Sequence, residues 1–167
     1  MILRLADPIV HQRQPTDRCC LATCFAMALG IPVEELGINL EQDFEPEQFG
    51  PWLAERGIWL RIGDRGEPLT SGLYVLGVIS LNDKGGEHAI LLDGRAGATK
   101  VFDPNAGNPG KEHYSSTILL ESNMIDFCEL VARRPDTAGA PPADDLDSRL
   151  DGIQAEVESL LKLMETI

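Results

Sequence analysis

Three of the chain's four cysteines lie close together in the stretch "QPTDRCCLATCFAMALG", residues 14–30. They stand where a polar, turn-like sequence passes into an apolar run with helical periodicity. Four kinds of chemistry use cysteine in this way: a zinc site, a disulfide, burial in a core, or a nucleophile at the start of a helix.

The spacing of the cysteines argues against the first two. Zinc ligands usually come in pairs such as C-x-x-C, whereas Cys19, Cys20 and Cys24 are spaced differently and only Cys128 is remote. A disulfide is disfavoured in the reducing compartment that the composition suggests. Cys24 and Cys128 stand inside apolar runs, so we predict that both are core residues. We expect no metal and no cofactor.

Cys20 has a different setting. Asp17 is a suitable N-cap for a helix from about Arg18 to Leu29, which should end at Gly30. Cys20 would then be the third helical residue, where unpaired backbone N–H groups and the helix dipole favour a thiolate. Catalysis by a thiolate also requires a base, a group that orients the base, and donors for an oxyanion.

A base and an orienting acid occur in a second stretch, "GGEHAILLDGRAGATKVFDPNAG", residues 85–107. It predicts a β-hairpin, and a two-residue loop at Arg95-Ala96 would place His88 directly opposite Asp103, with their Cβ atoms about 5 Å apart. That geometry is the orienting half of a Cys-His-Asp triad. Three alternatives stay open: a surface histidine beside a turn aspartate, Asn105 as the orienting group, and a hairpin register that slips by two residues.

The two stretches together resemble the papain-like fold. They are most similar to the bacteriocin-processing, double-glycine leader peptidases and their stand-alone relatives. In that family a glutamine six residues before the nucleophile supplies an oxyanion-hole donor, and an Ala-Met pair follows six and seven residues after it. Only Cys20 satisfies both offsets, through Gln14 and the pair at 26–27, and Cys19 satisfies neither.

The resemblance implies a site and an activity. It makes Cys20 the nucleophile, His88 the base, Asp103 the orienting acid and Gln14 the oxyanion donor. The implied function is a cysteine peptidase that cleaves a peptide or protein amide bond through a thioester. One alternative is a non-proteolytic thiol amidase or acyltransferase on the same fold. Another is a non-catalytic peptide-binding module, which would have no need of the intact triad.

The elements that must position these residues fall into two halves. "VEEL" (33–36) predicts a short second helix, and a third should run from about Glu45 to Arg56, unless Gly50-Pro51 breaks it. Five short apolar or alternating runs then predict strands: "IWLRI", "LYVLGVISL", "HAILLDG", "TKVFD" and "FCELVAR". Helices followed by an antiparallel sheet indicate the α+β class. The resemblance implies that the nucleophile's helix packs on this sheet.

We predict a peptidase domain at 1–134, a Pro/Ala/Asp-rich linker at 135–145 and a helix at 146–167. The helix carries an apolar heptad pattern formed by Leu146, Leu150, Ile153, Val157, Leu160, Met164 and Ile167. A helix this short is marginal by itself. We therefore expect a coiled-coil-like contact that makes the protein a homo-oligomer. Docking of the helix on the chain's own catalytic domain and binding to a separate partner stay open as alternatives.

Charge and hydropathy argue against two classes of partner, nucleic acid and the interior of a membrane. The net charge of −13 argues against nucleic acid, whose phosphates require a basic surface. No apolar run approaches the roughly 18 residues of a membrane span, and the start lacks the pattern of a signal peptide. We expect a cytoplasmic protein with a peptide or protein substrate.

Overall fold

A computed structural model of the chain describes residues 4–42, 46–64, 67–69, 71–115 and 123–132. All of these residues belong to the first of the two units into which the chain divides, Met1–Arg133. The predicted linker (135–145) and heptad helix (146–167) lie outside the described residues.

Helices precede the sheet, as predicted. Helix α1 spans Cys20–Leu29, a 3₁₀ helix spans Val33–Leu36, and helix α2 spans Pro46–Ala54. Helix α1 ends as predicted, because Gly30 adopts the left-handed conformation (φ 66°) that lets the chain turn away. Helix α2 continues through Gly50-Pro51, so this pair does not break it.

The predicted start of α1 is wrong by two residues. The helix begins at Cys20, and its N-cap is Cys19 rather than Asp17. The Asp17 carboxylate is instead paired with the Lys111 ammonium (2.9 Å). The residues before the helix form a turn in which the Thr16 N–H contacts the buried Cys19 sulfur (3.3 Å). Cys20 is therefore the first helical residue and not the third.

All five predicted strands are present and form one antiparallel sheet. They are β1 (Ile58–Asp64), β2 (Leu73–Ile79), β3 (Glu87–Asp93), β4 (Lys100–Phe102) and β5 (Met124–Ala132), in the order β1-β5-β2-β3-β4. The α+β class is confirmed.

The register predicted for the β3–β4 hairpin is wrong by two residues. Leu92 pairs with Val101 and Leu91 with Phe102, so the connection is longer than the expected loop at Arg95-Ala96. The Arg95 guanidinium folds back onto the Asp93 carboxylate (2.9 Å) and donates to the Ala6 carbonyl (2.7 Å), which holds a wider loop. Because side chains alternate along a strand, a shift of two residues leaves each on its predicted face.

The sheet carries a buried cluster on each face. Helix α1 contributes to one of these clusters, which includes Phe25, Met27, Leu91, Cys24 and Cys128. The predicted burial of the last two cysteines is confirmed, at 0% and 2% exposure. None of the described helices has the length and apolarity needed to cross a bilayer.

Candidate active site

Cys20 lies at the N-terminus of α1 and is partly exposed. Burial raises the pKa of its thiol. A hydrogen bond from His88, the charge of that ring, and hydrogen bonds from the Ala89 and Leu21 backbone outweigh the burial, so the pKa lies below its ordinary value of 9.0. The first turn of a helix adds unpaired N–H groups that favour a negative sulfur. Cys20 is therefore set up to be a thiolate.

Asp103 is a buried carboxylate with a full set of donors. His88 Nε2 lies 2.7 Å from its Oδ1 atom, to which the Asn105 N–H also donates (2.7 Å). The Tyr114 N–H donates to Oδ2 (2.7 Å). Burial alone would raise the pKa of Asp103, but the His88 hydrogen bond and the two N–H groups lower it. Asp103 is therefore an anion that faces the imidazole.

His88 connects the other two residues. Burial would lower its pKa, but the hydrogen bonds and charges of Asp103 and Cys20 raise it from 6.5 to about 9. Since Nε2 faces Asp103, Nδ1 is the ring nitrogen left for the Cys20 sulfur. A lowered thiol pKa beside a raised imidazole pKa favours a thiolate–imidazolium pair, which is an activated nucleophile with its acid beside it.

The structure brings Cys20, His88 and Asp103 together, although the hairpin register that suggested the His88–Asp103 pair is wrong. Strand β4 ends at Phe102, one residue before Asp103. The chain then turns, with the Ala106 N–H donating to the Asp103 carbonyl (2.9 Å). This turn, and not direct opposition in the hairpin, carries the carboxylate to the imidazole.

Gln14 lies beside the same turn, but among the described residues it forms no hydrogen bond with Cys20. Its backbone N–H donates to the Pro104 carbonyl (3.0 Å), and its side chain is 7% exposed. The Oε1 atom is buried and has no hydrogen-bond partner among the described residues. Cys20 and His88 both line the cleft described below, whereas Gln14 does not.

One contact of this site was not predicted, that of His11, and a second, that of Asn105 with His88, was predicted only as an alternative. The His11 ring donates through Nε2 to the Asp103 carbonyl (2.8 Å), and the Asn105 side-chain amide lies 3.3 Å from His88 Nε2. His11 is separated from Asp103 by ninety-two residues, and no local pattern marks such a contact. Asn105 did have a signal, because it stands two residues after the acid.

A cleft of about 580 Å³ opens beside the Cys20 sulfur. Ala89, Gly77 and Asp126 stand side by side on three adjacent strands and line it, so the cleft crosses the sheet from β3 towards β5. Its volume lies within the range of about 300–1,000 Å³ that is usual for ligand sites. The charged lining residues are Asp17, Asp83, Glu87 and Asp126, with Arg18.

Within the described part of the chain, no group of three or more His, Cys, Asp or Glu residues has the geometry of a metal site. All four cysteines are free thiols. No protein-family model matches the sequence, and a comparison with curated proteins finds no similar sequence.

Proposed function

We propose that this protein is a cysteine peptidase of papain-like fold that hydrolyses a peptide or protein amide bond. The observation that carries the proposal is the hydrogen-bonded series Cys20–His88–Asp103 at the edge of a cleft. Structural cysteines are usually buried and inert, whereas this thiol is partly exposed and its pKa is lowered by an imidazole. A cysteine that only fills space in a core does not need an imidazole beside its thiol.

The reaction would proceed through a thioester. The Cys20 thiolate attacks the substrate carbonyl carbon, and the carbonyl oxygen becomes an oxyanion. When the tetrahedral intermediate collapses, the C–N bond breaks and His88 gives its proton to the leaving amine. A water molecule then attacks the thioester while His88 takes its proton, which releases the carboxylic acid and restores the thiolate.

Asp103 would act through His88. Its 2.7 Å contact holds Nε2–H towards the carboxylate, and Nδ1 is thereby directed towards the sulfur. The Cys20 backbone N–H, at the free end of α1, would donate to the oxyanion. We assign Gln14 as the second donor, which requires its side-chain amide to turn towards the cleft. Loss of one such donor typically costs about 3 kcal/mol of transition-state stabilisation.

The cleft is suited to a peptide as substrate. Its floor crosses three strands, from Ala89 on β3 to Asp126 on β5, and the Asp126 carboxylate, which lies over Gly77, offers an acceptor for a peptide N–H. The free thiols are those of a reducing compartment, so we assign the protein to the cytoplasm. Amide-bond hydrolysis and acyl transfer to another amine share the same thioester, and the acceptor alone separates them.

The proposal is tested with a mixed-sequence peptide library whose products are read by mass spectrometry. We expect cleavage by the unmodified protein and none by Cys20→Ala. Cys19→Ala is the matched control, because the neighbouring thiol is fully buried and faces Thr16 instead of His88; it should cleave at nearly the full rate. Cleavage that persists in Cys20→Ala, or the absence of any cleavage by the folded protein, would refute the proposal.

A further inference from the structure

Asp126 brings a carboxylate close to the Cys20 sulfur. Ala89, Gly77 and Asp126 are aligned neighbours on β3, β2 and β5, and the Ala89 N–H donates to the sulfur. The Asp126 carboxylate lies over Gly77, because a Cβ built on that glycine would meet its Oδ1 atom. It is therefore displaced from β5 towards the thiol and lies roughly one strand spacing, about 4.8 Å, from Ala89.

Two local features of the sheet place this carboxylate. Gly77 pairs with Asp126, but the next pair along β2 and β5 is Val78 with Met124. Ile125 is therefore an extra residue on β5, and such a bulge bends a strand and re-aims the side chain beside it. The second feature is the glycine itself. The carboxylate can lie across β2 only because position 77 has no side chain.

The carboxylate of Asp126 is exposed and, among the described residues, has neither a hydrogen bond nor an ion pair. Other carboxylates of the same sheet have a cation from the chain. Asp93 binds the Arg95 guanidinium (2.9 Å), and Glu129 binds the Arg61 guanidinium (2.8 Å). Asp126 thus differs from them in offering its charge to whatever enters the cleft.

The chemistry of this group selects the ligand. An ionised carboxylate accepts hydrogen bonds and donates none, and among the groups of a peptide its strongest partners are ammonium and guanidinium. Asp83 and Glu87 line the same cleft, so the surrounding charge also favours a cation. The two oxygens of Asp126 leave room for both a backbone N–H and a cationic side chain.

We infer that Asp126 is a specificity-determining residue that binds the lysine or arginine side chain of a substrate residue within two positions of the bond that Cys20 attacks. The four-carbon stem of lysine is long enough to cross one strand spacing of about 4.8 Å, which sets this short distance along the substrate. The inference rests on the proposed function and names its substrate class, a basic peptide.

The carboxylate can be tested without a substrate, with a cationic and a neutral methanethiosulfonate of similar size. Each reagent forms a disulfide with the Cys20 thiolate and places its head group a few bonds from the sulfur. The quantity measured is the cationic-to-neutral rate ratio, corrected for the same ratio with free cysteine. Asp126→Asn should lower this ratio about threefold to fivefold, the effect of one exposed ion pair.

Two further variants separate a contact from the general field of the cleft. Asp83→Asn removes the same charge from another place in the cleft, so it should change the ratio by less than about twofold. Gly77→Ala keeps every charge but fills the space of the Asp126 carboxylate, so it should lower the ratio as Asp126→Asn does. In the peptide library, lysine and arginine should be enriched within two residues of the bonds cleaved, and Asp126→Asn should remove that enrichment.

Any of three results would overturn the inference: an unchanged ratio in Asp126→Asn, an equal loss in Asp83→Asn, or cleavage sites without basic enrichment. A folded Gly77→Ala protein that keeps the full ratio would also overturn it. If Gly77→Ala does not fold, as judged by circular dichroism, the comparison of Asp126→Asn with Asp83→Asn still decides. A protein that shows the expected ratios but cleaves no peptide would refute the proposed function and leave Asp126 as a cation-binding residue beside the thiol.

Discussion

At the scale of single residues, the candidate site is explained by the opposed pKa shifts of two groups in contact. Cys20 is partly buried, and burial by itself would make its thiol a poorer acid. The positive ring of His88 reverses this effect, and the Asp103 carboxylate in turn stabilises the positive ring. Each residue of the three has the charge that its neighbour requires.

These shifts predict the pH dependence of hydrolysis. His88 has its pKa raised from 6.5 to about 9, so the proton needed by the leaving amine is present at neutral pH and is lost as the pH rises through about 9. At the acidic end the rate falls when the Cys20 thiolate is protonated, which occurs below the ordinary thiol pKa because that pKa is lowered. Initial rates of peptide cleavage between pH 4 and 10 measure both limbs.

Asp103→Ala tests the cause of the alkaline limb. Without the carboxylate the pKa of His88 should fall back towards 6.5, so the alkaline limb should move to lower pH and the maximal rate should drop. An alkaline limb that stays near pH 9 in this variant would mean that it does not belong to His88.

At the scale of elements, much of the fold was predictable from local pattern. All five strands follow runs of alternating or apolar residues, and α1 ends at Gly30 because glycine adopts the left-handed conformation easily. The start of α1 and the β3–β4 register were wrong because each depends on a remote partner. The Lys111 ammonium forms an ion pair with the Asp17 carboxylate, and the Arg95 guanidinium donates a hydrogen bond to the Ala6 carbonyl.

The candidate site was predictable in part, and for the same physical reason. The offset of Gln14 from Cys20 is local and visible, as is the order of His88 and Asp103 along the chain. The contact of His11 with the Asp103 carbonyl joins distant segments through a loop, so no sequence period reports it. Asn105 was visible as a candidate, but its place beside Asp103 on the same nitrogen follows from the turn geometry.

The pairing of β1 with β5 gives a prediction about stability. Gly63 stands opposite Phe127, and a Cβ at Gly63 would meet the buried Phe127 ring and approach the Glu67 carboxylate at 2.9 Å. Gly63→Ala should therefore lower the free energy of unfolding by about 1–3 kcal/mol, the usual cost of overpacking. Urea unfolding followed by circular dichroism measures it.

Gly50→Ala is the matched control for this substitution. Gly50 lies in helix α2 and a Cβ there meets nothing within 4 Å, so alanine should be neutral or should stabilise the protein by up to about 1 kcal/mol. Equal effects of the two substitutions would show that the contact with Phe127 does not set the cost at Gly63.

At the scale of the whole molecule, the chain carries a net charge of −13, and the cleft is lined by the carboxylates of Asp17, Asp83, Glu87 and Asp126 against the single guanidinium of Arg18. We therefore expect a negative potential around the sulfur. Cys20 should therefore react faster with a cationic methanethiosulfonate than with an anionic one, by roughly tenfold at low salt after correction for the same ratio with free cysteine. Added salt should reduce the preference, because it screens the field. A corrected ratio of one at low salt would contradict this reading of the cleft.

The heptad pattern of residues 146–167 predicts that the full chain self-associates. Positions beside its apolar seam are mainly acidic or neutral, so the assembly should be stronger at higher salt. Light scattering measures the mass of the full chain and of a chain ending at Arg134. We expect the full chain to be an oligomer and the truncated chain to be a monomer. Two monomers would exclude association through this segment, and an oligomeric truncated chain would place the interface within residues 1–134.

The central claim is that Cys20 is an activated thiol, and the most direct measurement is brief iodoacetamide treatment at pH 6.5, followed by peptide mapping in a mass spectrometer. The account predicts that Cys20 is labelled first and much faster than free cysteine, since its thiol pKa is lowered while Cys19, Cys24 and Cys128 are buried. His88→Ala should slow this labelling, because the imidazolium no longer stabilises the thiolate. First labelling of Cys19, or an unchanged rate in His88→Ala, would contradict the account.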